Sequence, residues 1–191
     1  GFLPARTLGV KMRSLVLMVL LTMSGLIQAN EPEDVLHQYF EVLTERDFSN
    51  LSGLMSERNM ADLKELADRA ILSQAPRGRF GLQERFFGHK VGAQAIEKTR
   101  AKHYLDVIAG EVLNAANATH FMVDSESVLG RVDEGDDMVH FVARLELHQD
   151  EKSSSDVMLY TLVRENGLWK LTFPPTFKQI LSLLEASYKR M

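Results

Sequence analysis

The sequence contains no cysteine among its 191 residues, which excludes disulfides, thiolate–metal sites and cysteine nucleophiles. It also lacks a P-loop, a Gly-x-Gly-x-x-Gly motif and a Gly-x-Ser-x-Gly motif, so the usual signatures of nucleotide binding and of serine hydrolases are missing. A domain that folds without disulfides fits a bacterial periplasm better than an animal extracellular space.

Basic residues are outnumbered, which argues against nucleic acid as a partner. The chain has 26 acidic and 22 basic residues and a net charge of −4 at pH 7. Arg6, Lys11 and Arg13 lie in the first 29 residues, and without them the net charge is −7. Such an acidic domain has no bulk electrostatic attraction for a phosphate backbone.

The first 29 residues have the order of a secretory signal peptide. The basic residues Lys11 and Arg13 precede the uncharged, mostly apolar stretch Leu15–Ile27, and the small residue Ala29 follows. We expect Met12 to be the true start, cleavage near Ala29, and a single exported domain at residues 30–191 in the periplasm or outside the cell. A retained N-terminal membrane anchor is the alternative, but such a helix needs roughly 20 apolar residues.

The first half of the exported part has the apolar period of amphipathic helices. Residues 33–46 and 59–73 repeat apolar side chains at spacings of three or four, with a short helix capped by Ser49 between them. Residues 74–92 are rich in glycine and predict a loop, within which a short strand is the alternative. Residues 93–116 predict one longer helix whose inward side chains are Ile96, Val107, Ile108, Val112 and Leu113.

Beyond Asn117 the apolar period changes to two, which is typical of strands. Four strands are predicted, at residues 121–131, 138–148, 157–165 and 168–173. The polar residues 149–156, with the serine run Ser153–Ser155, are interpreted as a hairpin loop. Residues 176–179 have the spacing of a capping box and predict a terminal helix that begins near Phe177.

Asn166-Gly167 predicts a two-residue hairpin turn, and this turn fixes a register. Arg164 then lies opposite Trp169, and one face of the hairpin collects the large apolar side chains Tyr160, Leu162, Trp169, Leu171 and Phe173. The predicted fold class is therefore α+β, with N-terminal helices packed on a curved four-stranded antiparallel sheet, plus a C-terminal helix.

Two segments resemble the nuclear transport factor 2-like superfamily. Residues 33–55 (EDVLHQYFEVLTERDFSNLSGLM) resemble its opening helices, and residues 157–173 (VMLYTLVRENGLWKLTF) resemble its closing hairpin. The resemblance implies a cone-shaped α+β fold with a pocket, and a homodimer that pairs through the outer face of the sheet. Members of this superfamily include isomerases, dehydratases, carriers and interaction domains, so the resemblance implies no single activity.

The predicted inward faces carry no Asp, Glu or His, and Tyr160 is their only group able to exchange a proton. This pattern counts against acid–base catalysis. We expect a non-enzymatic domain, without a cofactor, that binds a small apolar ligand or a protein partner. The alternative is a small isomerase or dehydratase that uses Tyr160 with an unplaced carboxylate. The candidate pocket residues, for each of which core packing is the competing interpretation, are Tyr39, Phe40, Tyr160, Leu162, Trp169 and Phe173.

Histidine spacing argues against a metal site. His140 and His148 share a strand face, but eight residues of strand separate them by about 27 Å. His103 and Asp106 are close enough on a helix to supply two ligands, and two ligands without cysteine are a weak metal signal.

A basic segment stands out in the acidic chain, because residues 77–102 contain seven basic and two acidic side chains. Arg77, Arg79 and Arg85, with phenylalanines in the same basic segment, predict a patch that docks an acidic protein or lipid headgroups. A solvated face is the competing interpretation.

Overall fold

The computed structural model describes residues 31–74, 81–174 and 177. The predicted leader, Arg77 and Arg79, and the predicted terminal helix apart from Phe177 lie outside the described residues. Within the described ranges, no helix is both long and apolar enough to cross a membrane.

The described residues form helices first and strands second, as an α+β fold. The helices are α1 (Pro32–Glu45), α2 (Leu51–Leu54), α3 (Glu57–Gln74), α4 (Leu82–Phe87), α5 (Ala93–Lys98) and α6 (Ala101–Ala118). The strands are β1 (Phe121–Asp133), β2 (Met138–Gln149), β3 (Lys152–Glu165) and β4 (Leu168–Leu171). They form one antiparallel sheet in the order β1-β2-β3-β4, so the predicted fold class is confirmed.

Helix α1 forms where the apolar stripe predicts it. Pro32 opens the helix, where its missing N–H costs nothing, and Arg46 ends it with a left-handed φ of 59°. The stripe residues Val35, Leu36 and Tyr39 are buried in the core.

In the short segment after α1, the predicted cap by Ser49 is wrong. The carboxylate of Asp47, rather than the hydroxyl of Ser49, is the acceptor, and it receives the backbone N–H of Ser49 at 3.0 Å. The turn that follows is a 3₁₀ helix at Phe48–Asn50, which leads into α2.

The predicted helix at residues 93–116 is wrong in one respect: it is two helices. Thr99 and Arg100 have extended backbone (ψ 136° and 148°), so α5 ends there and α6 starts in a new phase. As a result Tyr104 and Leu105 are fully buried, whereas Val112 is 40% exposed. The predicted loop at residues 74–92 also contains a helix, α4.

Strand β2 alternates as predicted, and its inward residues are all buried: Val139, Phe141, Ala143, Leu145 and Leu147. Strand β3, however, begins at Lys152 rather than at residue 157, because Asp150 adopts a φ of 53° and allows a tight turn. The serine run Ser153–Ser155 is therefore part of a strand, where Ser154 pairs with Leu147.

The Asn-Gly hairpin has the predicted register. Asn166 and Gly167 have φ values of 53° and 81°, and Arg164 pairs with Trp169. Tyr160, Leu162, Leu171 and Phe173 are buried, while Trp169 is half-buried against the core. Strand β4 ends at Leu171, although the backbone N–H of Thr172 still donates to the carbonyl of Thr161 at 2.9 Å.

A buried polar junction joins α3 to the β3–β4 hairpin. Ser56, which is 2% exposed, precedes α3 and donates its hydroxyl to Oε1 of Glu165 at 2.6 Å. Glu165 Oε2 accepts the backbone N–H of Glu57 at 2.7 Å, and Ser56 Oγ accepts that of Asn59 at 3.3 Å. A carboxylate from the hairpin thus satisfies N–H groups that the first turn of a helix leaves unpaired.

Ser56→Ala should lower the free energy of unfolding by about 1–2 kcal/mol, because it removes the cap and leaves Glu165 with one partner fewer. Urea unfolding followed by circular dichroism measures the change. Ser155→Ala is the matched control, since this exposed serine also donates to a glutamate, Glu146, at 3.1 Å. Equal unfolding midpoints for the two variants would contradict a stabilising role for the junction.

Candidate functional site

A cavity of about 290 Å³ lies between the helices and the concave face of the sheet, and we call it the sheet cavity. Its lining is almost entirely apolar and comes from α1, the 3₁₀ helix at Phe48–Asn50, α6, three strands and the segment after β4. The lining residues are Tyr39, Leu43, Phe48, Ala109, Val112, Phe121, Val123, Leu145, Leu147, Asp156, Met158, Tyr160, Pro174 and Phe177.

Some of the residues that line the sheet cavity are exposed to solvent. Val112 on α6 and Asp156 on β3 both line the cavity and are both exposed. At the other end the lining is closed by Tyr39 and Tyr160, which are 3% and 1% exposed. The cavity therefore has an open end near a carboxylate and a closed end at two phenol rings.

The two tyrosines at the closed end contact each other. Their ring centroids are 5.8 Å apart, with planes tilted by 58°. Burial raises the pKa of Tyr160 to about 12, and burial followed by the proximity of Tyr160 raises the pKa of Tyr39. A tyrosine is already neutral at pH 7, and the raised pKa values keep both phenols neutral at more alkaline pH as well. The hydroxyl of Tyr160 donates to Sδ of Met158 at 3.5 Å.

Two of the six predicted pocket residues, Tyr39 and Tyr160, line the sheet cavity. Phe40 packs edge-to-face on Tyr160 with centroids 5.3 Å apart, and it lines a separate hollow of about 210 Å³ between α1 and β1. Leu162 and Phe173 are buried and Trp169 is half-buried, and none of these three is among the lining residues. Phe173 instead stacks on the lining residue Phe177 at 5.7 Å.

Sequence reasoning missed Asp156, and the prediction that the inward faces carry no carboxylate is wrong. Because β3 starts at Lys152, Asp156 falls on the same face as Met158 and Tyr160 and pairs with the inward Leu145. Within the described residues, neither a hydrogen bond nor an ion pair engages this carboxylate. The sequence offers no period of two that would have placed Asp156, because residues 150–156 are all polar and residues 157–160 are all apolar.

The basic patch is described only in part. Arg85 lies on α4 and forms an ion pair with Glu111 of α6, so its charge is shared within the domain. Arg77 and Arg79 lie outside the described residues, and the docking role of the patch stays a prediction.

The helical His103 and Asp106 are occupied by other contacts. Nε2 of His103 is 2.6 Å from the carbonyl oxygen of Phe86, and Asp106 pairs with Lys102 at 2.9 Å.

Stability should fall at alkaline pH because of the buried phenols. Tyr160 has a pKa of about 12 in the folded protein and about 10 in the unfolded chain. Its contribution to the free energy of unfolding is therefore complete below pH ~10 and is lost as the pH rises toward 12. This shift corresponds to about 2–3 kcal/mol at most. Thermal unfolding between pH 8 and 11 measures the loss.

Tyr160→Phe is the comparison variant for this titration, because it keeps the ring and removes the ionisable hydroxyl. We expect a smaller loss of stability with pH in this variant than in the unmodified chain. Parallel pH profiles for the two proteins would contradict the pKa shift of Tyr160.

Comparison with known proteins gives structural likenesses only. No protein-family model and no curated protein sequence matches this chain. A Campylobacter jejuni structure, an NTF2-like protein to which transpeptidase activity is provisionally attributed, matches with a TM-score of 0.39 and 9% identity over 75% of this chain and 99% of that one. An NTF2-like protein with a cystatin-like fold from Novosphingobium aromaticivorans matches with a TM-score of 0.28 and 12% identity over 81% of this chain and 97% of that one. Since both TM-scores are below 0.5, neither structure bears on the role of the cavity.

Proposed function

We propose that this protein is an exported, non-enzymatic domain that binds a small apolar molecule in the sheet cavity. The observation that supports the proposal is the cavity itself, about 290 Å³ in volume, apolar on nearly every side and open at one end. Apolar area removed from water stabilises a complex by about 25 cal/mol per Å². Small-molecule sites usually combine such walls with a few polar groups, as Tyr39, Asp156 and Tyr160 do here.

A small isomerase or dehydratase is the second candidate, and Asp156 favours it, because this residue supplies the carboxylate that acid–base chemistry would need. Asp156 and Tyr160 are four residues apart on one strand face, a Cα separation of roughly 13 Å. Groups so far apart contact opposite ends of a small ligand rather than one reacting atom. The spacing suits holding a molecule better than transferring its protons.

Val112→Trp should weaken ligand binding, because a larger ring at the open end of the cavity obstructs entry. Fluorescence titration with the neutral apolar dye N-phenylnaphthylamine measures binding, and we expect at least about a tenfold rise in Kd, or about 1.4 kcal/mol. Val112 is already 40% exposed, so the substitution should leave the core intact.

Val132→Trp is the matched control for this experiment. Val132 is 61% exposed and pairs with His140, which points away from the buried side of β2. This variant adds the same ring outside the cavity and should bind the dye like the unmodified chain. Equal binding by both tryptophan variants, or no binding by any of the proteins, would refute the proposal.

Export is tested separately from binding. When the full chain is expressed with its leader in a bacterium, N-terminal sequencing of the exported protein should give a start at Asn30. A mature protein that begins at Gly1 or Met12 would contradict removal of the leader.

A further inference from the structure

We propose that the ligand of the sheet cavity carries one positively charged nitrogen, bound by Asp156, on an apolar body that extends toward Tyr39 and Tyr160. The inference rests on the proposed binding function and adds the chemical class of the ligand, an apolar amine or ammonium compound. It is carried by the position and the charge of one side chain within an otherwise uncharged lining.

Asp156 is the only charged residue among those that line the cavity within the described parts of the chain. The remaining lining consists of aliphatic and aromatic side chains, two phenols and a proline. Among the described lining residues, a ligand that fills the cavity therefore meets a single formal charge, and that charge is negative. An anionic group at the same place would be repelled, and a cationic group would be attracted.

The surroundings of Asp156 reinforce the preference for a cation. Leu145 pairs with Asp156 on one side and with Glu126 on the other, so a second carboxylate lies about 10 Å away along the same row of the sheet. Arg46 is a basic side chain that contacts the cavity wall, and it donates to the carbonyl of Phe121 and to Oδ1 of Asn117. These two contacts hold its charge at the start of β1.

Ligand binding changes the energetics of the carboxylate. Asp156 is exposed in the domain, so water solvates it, and a ligand that occupies the open end displaces part of that water. Losing this water is unfavourable unless the ligand supplies a hydrogen-bond donor in its place. A charged donor forms the strongest hydrogen bond with a carboxylate. Aromatic rings in the lining, such as Phe48 and Phe121, add attraction for a cation that lies over their faces.

Three eight-carbon probes separate this inference from apolar binding alone: octylamine, octanol and octanoate have similar bodies and differ in the charge of one end. Isothermal titration calorimetry of the full chain at pH 7 measures their affinities. We expect octylamine to bind at least about tenfold more tightly than octanol, and octanoate to bind most weakly. Raising the salt concentration should reduce the difference.

Asp156→Asn should remove the preference while keeping the shape of the side chain. We expect octylamine affinity to fall about tenfold and octanol affinity to stay unchanged. Glu146→Gln is the matched control, because Glu146 is the strand neighbour of Leu145 but lies on the outer face of the sheet. It removes one negative charge from the protein and should leave the order of affinities as it was.

The outcomes distinguish the two proposals. Equal binding of octylamine and octanol, or an unchanged preference for octylamine in Asp156→Asn, overturns the proposal of a cationic ligand. The proposal of an apolar binding site is then unaffected. Failure of all three probes to bind overturns both. An octylamine preference that Glu146→Gln abolishes as fully as Asp156→Asn would show attraction by overall charge, and the assignment to Asp156 would be wrong.

Discussion

The register of β3 decides which side chains line the sheet cavity. Tight turns fix this register at both ends, because Asp150 and Asn166 each adopt a φ of 53°. Side chains alternate along a strand, so a slip by one residue would turn Asp156 and Tyr160 to the outer face. The exposed Val157 would then enter the core in their place. The charge and the hydrogen-bonding groups of the cavity thus depend on two turns at the ends of one strand.

One of these turns can be predicted from the sequence and the other cannot. Asn166-Gly167 is recognisable because glycine adopts positive φ without strain, and it yields the correct pairing of Arg164 with Trp169. The turn at Asp150 contains no glycine and is followed by polar residues up to Asp156, so no apolar alternation marks the strand. For this reason the sequence predicts a β3 that is too short, and Asp156 falls in a predicted loop instead of in the lining of the cavity.

The helices were predictable where their apolar stripe runs without interruption. The stripe of α1 places Val35 and Tyr39 in the core as expected. The break before α6 contains neither glycine nor proline, so nothing in the sequence marks it. A helix that restarts after two extended residues has a new phase, and for this reason Tyr104 is buried while Val112 lies exposed at the open end of the cavity. The sequence therefore predicts an apolar cavity between the helices and the sheet, but it does not predict which residues lie at the open end.

The distribution of polar groups along the cavity suits a molecule with two unlike ends. Burying a charge without a partner costs several kcal/mol, and a carboxylate at the closed end would destabilise the empty domain by such an amount. Asp156 avoids this cost because it lies at the open end, where water reaches it. The closed end carries phenols instead, which are neutral at pH 7, and burial raises the pKa of Tyr160 further, to about 12. Among the described lining residues, the one charge lies at the entrance and the groups inside are neutral, an arrangement that is stable when the cavity is empty. The same arrangement fixes the orientation of a bound ligand. Its charged end must lie at the open end of the cavity, because at the closed end that charge would be buried among apolar side chains.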